Sequence, residues 1–302
     1  MESRTRGSIE MTVAMVILGT IGWFVVMSGL PAVAVVFWRC LFGAVVLLAI
    51  CAALGLFRRR LTPDQTGLAI VGGVAMVLNW VLLFAAFNHA SISMATAVYN
   101  TQPFMLVALG TIFLAERLNV RKVAWLVIGF VGMLLVIAAG PSIDASGSNS
   151  YLGGILMALG AALFWAIAAL TAKKLAGTPP QLVALVHVTV GTLMLAPFQD
   201  VHSMPSNLQA WELVLAVGVV HTGLVYILMY SAIQRLSTTR QAALTFIYPI
   251  VATLVDVVAF DQRFTLAQVG GAVAILVAAA GMNLGWSIPG LARFDRTGKA
   301  FG

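Results

Sequence analysis

Two of the chain's four histidines, His187 and His221, lie deep inside apolar stretches. An imidazole changes charge near neutral pH, so a buried histidine can relay a proton or accept a hydrogen bond from a passing polar group. Neither has an acid or cysteine beside it to complete a ligand set, so no metal site is expected. Other polar side chains interrupt the greasy runs in the same way. Tyr99-Asn100-Thr101-Gln102 precede Pro103, Asn79 stands beside Trp80, Tyr226 and Tyr230 are spaced four apart, and Tyr248 adjoins Pro249. Spacings of three and four put Tyr99 with Gln102, and Tyr226 with Tyr230, on common helix faces. Such groups can line a wet cavity, or they can fix helix packing by hydrogen bonds between helices; the residues alone leave both readings open.

Trp23 and Trp165 stand mid-run, away from the ends where interfacial tryptophans collect, and can offer a flat wall and an indole donor to an aromatic or aliphatic cargo. Packing beside small residues is the alternative: Gly19 and Gly22 near one, Ala158, Ala162 and Ala166 near the other. Charges inside the runs are few. Arg39 needs a carbonyl or acid partner and is expected to hold the fold, as are the helix-bending Pro103 and Pro249. Asp256 is a candidate gate or proton-coupling group, with a water-exposed carboxylate as the alternative.

The elements that must position these residues follow from composition. Of 302 residues, 61% are hydrophobic and 9% charged, against roughly 25% charged in a soluble domain. Apolar runs of membrane-crossing length fall at 9–29, 32–56, 66–88, 91–115, 119–139, 151–172, 180–198, 209–232, 238–260 and 264–287. The least marked breaks are Gly29-Leu30-Pro31 and His89-Ala90-Ser91. With the N-terminus inside, alternate loops collect 15 of the 17 Lys and Arg residues on the cytoplasmic side, as the positive-inside rule requires. The expected fold is an all-α integral membrane protein of ten transmembrane helices with both termini cytoplasmic. Its formal charge of +7 is then topology, and nucleic acid is not an expected partner. Cys40 and Cys51 share one run and are not expected to form a disulfide.

Placing Pro103 over Pro249 aligns 87–118 with 233–264, setting Ser91 on Ser237, Ala97 on Ala243 and Glu116-Arg117 on Gln262-Arg263. Pro31–Gly43 likewise matches Pro179–Gly191, with Arg39 over His187. Two five-helix halves, 1–145 and 146–302, then cross the membrane in opposite senses, an inverted repeat around a central cavity. Ten helices as five plus five, a proline in spans four and nine followed by an acid or amide plus Arg, and an arginine in span two resemble the drug/metabolite transporter superfamily, in particular its EamA-type exporters. The chain is also similar to the bacterial aromatic amino acid exporters of that group. It departs from the usual Gly-Glu-Arg pattern in reading Asp261-Gln262-Arg263. The resemblance implies a multi-pass protein of the bacterial inner membrane that moves small organic metabolites outward, acting on a small-molecule substrate within the lipid bilayer, with a monomer as the working unit.

No Walker-type loop is present, so energy would come from a gradient, and no cofactor is implied. A secondary transporter working by alternating access is the leading expectation, its cargo an amino acid with an aromatic or apolar side chain. A passive facilitator or channel is the alternative. An intramembrane lipid-acting enzyme is disfavoured, since HExxH, GxSxG and paired catalytic carboxylates are missing.

Overall fold

The computed structural model describes residues 2–87, 89, 95, 98–116, 118, 120–138, 148–199, 204–260 and 265–286, and among these the regular structure is entirely helical. The first apolar run opens earlier than its hydropathy suggests: α1 (Glu2–Gly19) takes in the charged start of the chain. The helix breaks at Thr20, whose hydroxyl turns back to the Ile17 carbonyl at 2.8 Å, and resumes as α2 (Ile21–Ser28). Gly29, at φ 65°, ends α2 in the left-handed conformation that glycine adopts without strain. Pro31 then precedes α3 (Ala32–Ala53), so the Gly29-Leu30-Pro31 break is a real turn between helices. The break expected at His89-Ala90-Ser91 lies largely outside the described residues.

The chain continues as α4 (Pro63–Phe87), α5 (Gln102–Leu114), α6 (Val120–Ala138), α7 (Ser148–Lys174), α8 (Pro180–Leu195) and α9 (Leu208–Ala216). After α9 the winding loosens into a π-helical stretch, Val217–Leu224, and tightens again as α10 (Val225–Arg235). Three helices complete the described chain: α11 (Thr238–Thr245), α12 (Ile247–Phe260) and α13 (Leu266–Leu284). Six stretches are long and apolar enough to cross a membrane: Glu2–Ser28, Val33–Ala53, Pro63–Leu83, Leu152–Lys174, Pro180–Phe198 and Leu208–Arg235.

Pro103 and Pro249 act differently from the expected mid-helix bend. A turn at Asn100 and Thr101 ends one helical stretch, and α5 starts with Pro103 in its first turn. Likewise Phe246 separates α11 from α12, whose first turn holds Pro249. The first turn of a helix has no internal use for the missing N–H, so proline breaks the span there and restarts it.

Helices from the N-terminal part of the chain pair with helices from the C-terminal part: α4 with α7, α3 with α8, α6 with α13, and α1 with α10. Lipid tails are as apolar as leucine, so such contacts depend on backbones approaching closely rather than on apolar burial. Glycines supply the approach. A Cβ on Gly132 would lie 2.7 Å from the carbonyl oxygen of Gly271, one on Gly218 2.4 Å from Phe42 Cβ, and one on Gly43 2.7 Å from Thr222 Cγ2. The Gly43–Gly218 contact seats the π-helical stretch against α3, beside Arg39. The main apolar core includes Met11, Leu47, Trp80, Trp165 and Tyr226; a second surrounds Trp125, Phe246 and Ile275.

Candidate functional site

Mid-bundle, four helices bring their polar side chains to one place. Arg39 of α3 is buried, its guanidinium 4.4 Å from the centre of the Trp80 ring on α4, and its Nε donates to Thr222 Oγ1 at 3.1 Å. The cation–π contact contributes about 2 kcal/mol when desolvated, more than the ~0.6 kcal/mol of an average hydrogen bond between membrane helices. The aromatic face therefore does most to anchor this charge. Beyond Trp80 the rings of Tyr226 and Tyr230 continue the cluster, and the Tyr230 hydroxyl lies 2.6 Å from His187 Nδ1. His187 Nε2 is buried without a partner among the described residues. The Tyr99 hydroxyl is hydrogen-bonded by the Asn79 side chain and lies close enough to Tyr248, Tyr226 and Arg39 to feel their charges.

From this centre a polar trail leads toward one end of the bundle. Thr222 is followed back along the π-helical stretch by His221, whose Nε2 meets Thr20 Oγ1 at 2.9 Å and whose ring packs edge-on against Phe24 at 4.7 Å. Regular α-helix rotates adjacent residues by about 100°, and the wider π turn alters that register at this point. One side chain here meets α3 while its neighbour meets the Thr20 break. Thr20, Trp23 and Phe24, with Leu254, Val255 and Val258 of α12, line a cleft of about 420 Å³. A volume near that is at the lower end for small-molecule sites.

The opposite end is tied shut by charge. Thr20 lies about 27 Å along the helix from Glu2, so Glu10 and the start of α11 belong to the other end. There Glu116, just past α5, accepts from Thr238 N at 2.9 Å and from Thr238 Oγ1 at 2.8 Å, capping α11 with a carboxylate from elsewhere in the chain. Lys173 Nζ pairs with Glu116 at 3.1 Å and also donates to the Leu236 carbonyl. Glu10 is shared by Arg6 at 2.9 Å and Arg235 at 3.1 Å, and Gln234 donates to the Leu175 and Thr178 carbonyls. Five helix ends are thus linked in one basic-rimmed closure.

A family model described as the EamA-like transporter family matches residues 5–138 and again residues 152–284. The chain belongs to this family. It is 32% identical over 287 residues to the transporter YxxF of Bacillus subtilis (strain 168), covering 94% of this chain and 90% of that one. It is also 26% identical over 193 residues to the pseudopaline exporter CntI of Pseudomonas aeruginosa, covering 63% of this chain and 65% of the relative. To a probable amino-acid metabolite efflux pump of Salmonella typhimurium it is 24% identical over 212 residues, 66% and 70% of the two chains. A solved crystal structure superposes with a TM-score of 0.78 at 21% identity, covering 93% of this chain and 98% of the other, and so shares the fold.

In this EamA-like transporter, Asn79, Tyr99, His187, Tyr226 and Tyr248 gather at the centre with Arg39. Trp23 and His221 stand along the cleft instead. Trp165 is buried in the same apolar core as Trp80 and Tyr226. Gln102 is buried, with its Oε1 unpartnered among the described residues. Asp256 lies on α12, but its side chain is outside the described residues, as are Arg117, Gln262 and Arg263. Among the described residues no three His, Cys, Asp or Glu side chains converge as metal ligands. Thr20, Thr222, Lys173 and Gln241 were not singled out by type or spacing. Of these, Gln241 is fully buried with neither amide atom partnered among the described residues, a signal visible only in three dimensions.

The position of His187 depends on Gly72, where a Cβ would lie 2.4 Å from both His187 Nε2 and Thr171 Oγ1. Gly72→Ala is expected to destabilise the transporter by about 2 kcal/mol, the cost of overpacking outweighing the ~1 kcal/mol gain in helix propensity. Gly67→Ala, with open space at its Cβ, is the control. Equal melting temperatures for the two purified variants would rule this account out.

Proposed function

We propose that this chain is a secondary transporter of the bacterial inner membrane that exports amino acids with aromatic or apolar side chains by alternating access. The observation that carries the reading is the asymmetry of the bundle: an ion-paired closure at one end, an aromatic cleft toward the other, and a polar trail joining the cleft to a buried cation. An arginine with tyrosine and amide groups around it suits a carboxylate and an amine, while Trp23, Trp80 and Trp165 suit an apolar side chain. The closed end weighs against a continuous channel. Relatives named as an amino-acid metabolite efflux pump and a pseudopaline exporter agree with small organic cargo carrying carboxylate groups.

On this reading the halves 1–145 and 146–302 are inverted five-helix repeats, ten spans in all. The double family match, 5–138 and 152–284, supports that division. The basic closure faces the cytoplasm, both termini lie there, and the unit is a monomer. Substrate contacts come from Trp23, Asn79, Tyr99, Gln102, Trp165, His187, His221, Tyr226 and Tyr248, with Asp256 as the gate or proton-coupling group.

Uptake of labelled tryptophan, phenylalanine, threonine and alanine into proteoliposomes, with and without a pH gradient, tests the proposal. Saturable uptake of the aromatic pair is expected, reduced about tenfold or more in Trp165→Ala, the loss expected when a large apolar contact is removed from a site. Failure to take up any of the four would sink the cargo assignment. Non-saturable flux without counterflow would favour the passive facilitator.

A further inference from the structure

A groove on the outside of the bundle, apart from the central cluster and its cleft, has a composition the transport reading does not use. It has a volume of about 340 Å³ and runs between α1, α11 and α13, with Ile9, Val13, Leu244 and Ala279 as its apolar walls and Thr5 and Ser8 nearer the basic end. Ile9 and Val13 are 59% and 42% exposed on the face a bilayer would cover, so its apolar part meets lipid tails rather than water. Arg4 precedes Thr5 and stands one turn from Ser8, and Arg240 stands one turn from Leu244, so both arginines sit at the basic-end mouth of the groove. They are close enough to repel each other. The ion pairs of this end, Arg6–Glu10, Arg235–Glu10 and Lys173–Glu116, include neither of them. Glu2 is two positions from Arg4, which on a helix turns it about 200° away.

Two like charges held side by side over an apolar channel at the depth of lipid headgroups call for an anion carrying a hydrocarbon tail. We propose that the groove binds an anionic phospholipid from the leaflet at the basic end, with its phosphate between Arg4 and Arg240 and an acyl chain along Ile9, Val13 and Ala279. The bound lipid offsets the repulsion between α1 and α11 and so tightens the helix carrying Thr238 against the closure. The site depends on the membrane placement of the chain and not on its cargo, so transport results do not bear on it.

The test uses the full chain purified in neutral detergent, with melting temperature and native mass spectrometry read against added phosphatidylglycerol, phosphatidylcholine or glycerol phosphate. Phosphatidylglycerol is expected to raise the melting temperature and to be retained, and phosphatidylcholine to do neither. The Arg4→Gln/Arg240→Gln double variant is expected to bind it about 30-fold more weakly, the contribution of two cations near an anionic headgroup. Ala280→Trp, which fills the groove and keeps both charges, should also lose retention; if that variant does not fold, Val13→Phe replaces it. Equal stabilisation by the two lipids, unchanged affinity in the double variant, or an equal effect of glycerol phosphate would each overturn the proposal.

Discussion

Glu116→Ala is expected to open the basic end and to reduce transport by more than any other removal of a single charge there. The carboxylate accepts two hydrogen bonds from Thr238 and pairs with Lys173, with only 18% and 14% of the two charged side chains exposed. Removing one member of a buried pair costs ~3–5 kcal/mol; this one is partly wet, so about 2–3 kcal/mol is expected. If the closure forms in only one of two access states, that amount shifts their ratio by roughly 30- to 150-fold. Labelling of a cysteine placed at Gln234, from the side of the basic end, should become fast, and exchange transport should fall at least tenfold on the same scale. Glu116→Gln should fall between, keeping an acceptor for Thr238 but no charge for Lys173. The swap Glu116→Lys/Lys173→Glu should not rescue, because a lysine cannot accept from the Thr238 N–H. Wild-type labelling and transport in Glu116→Ala would remove the gate from the mechanism.

Arg39→Leu is expected to be the most damaging change in the centre. It removes the cation whose field reaches Tyr99, Tyr226, Tyr230 and His221, and it frees both Trp80 and Thr222 from their partner. Thr222 keeps its bond to the Val217 carbonyl, and an apolar side chain in place of a buried charge recovers part of the loss, so the cost in stability is about 1–2 kcal/mol. Transport of a carboxylate-bearing cargo should fall far more, by ~100-fold, the effect of losing a buried charged contact. Arg39→Lys should restore melting but little transport, because the ammonium lacks the planar fork that stacks on Trp80 while bonding Thr222. If Arg39→Leu melts normally and transports normally, the cation is dispensable. If it cannot be folded while Arg39→Lys transports fully, its role is confined to holding the helices.

The helices were legible because each needs a run of apolar residues, and so were the buried polar side chains, which stand out against such runs. His187, Tyr226, Tyr99 and Asn79 could each be named from type and position alone. Their partners could not. Glu116 pairs with Lys173 and caps Thr238, and Arg39 reaches Thr222, across separations that register along a single helix does not encode. The π-helical stretch leaves no mark in VGVVHTGL, because its extra residue is accommodated by packing between Gly43 and Gly218. The prolines were read correctly as breaks in regular winding and wrongly as bends. The difference lies in where each new helix starts, which depends on turns at Asn100–Thr101 and Phe246 with no strong signature of their own.

The glycine contacts between helices also bear on how such a bundle could move. Where Gly132 meets Gly271, or Gly43 and Gly218 seat the π-helical stretch on α3, smooth backbone lies against its neighbour without interlocked side chains. A seam of this kind has no rotamers to freeze or release, so sliding one helix along the other incurs almost no side-chain entropy penalty in either direction. The contacts that hold the helices tightly together therefore also work as bearings. Wear would show first wherever a methyl group roughened them.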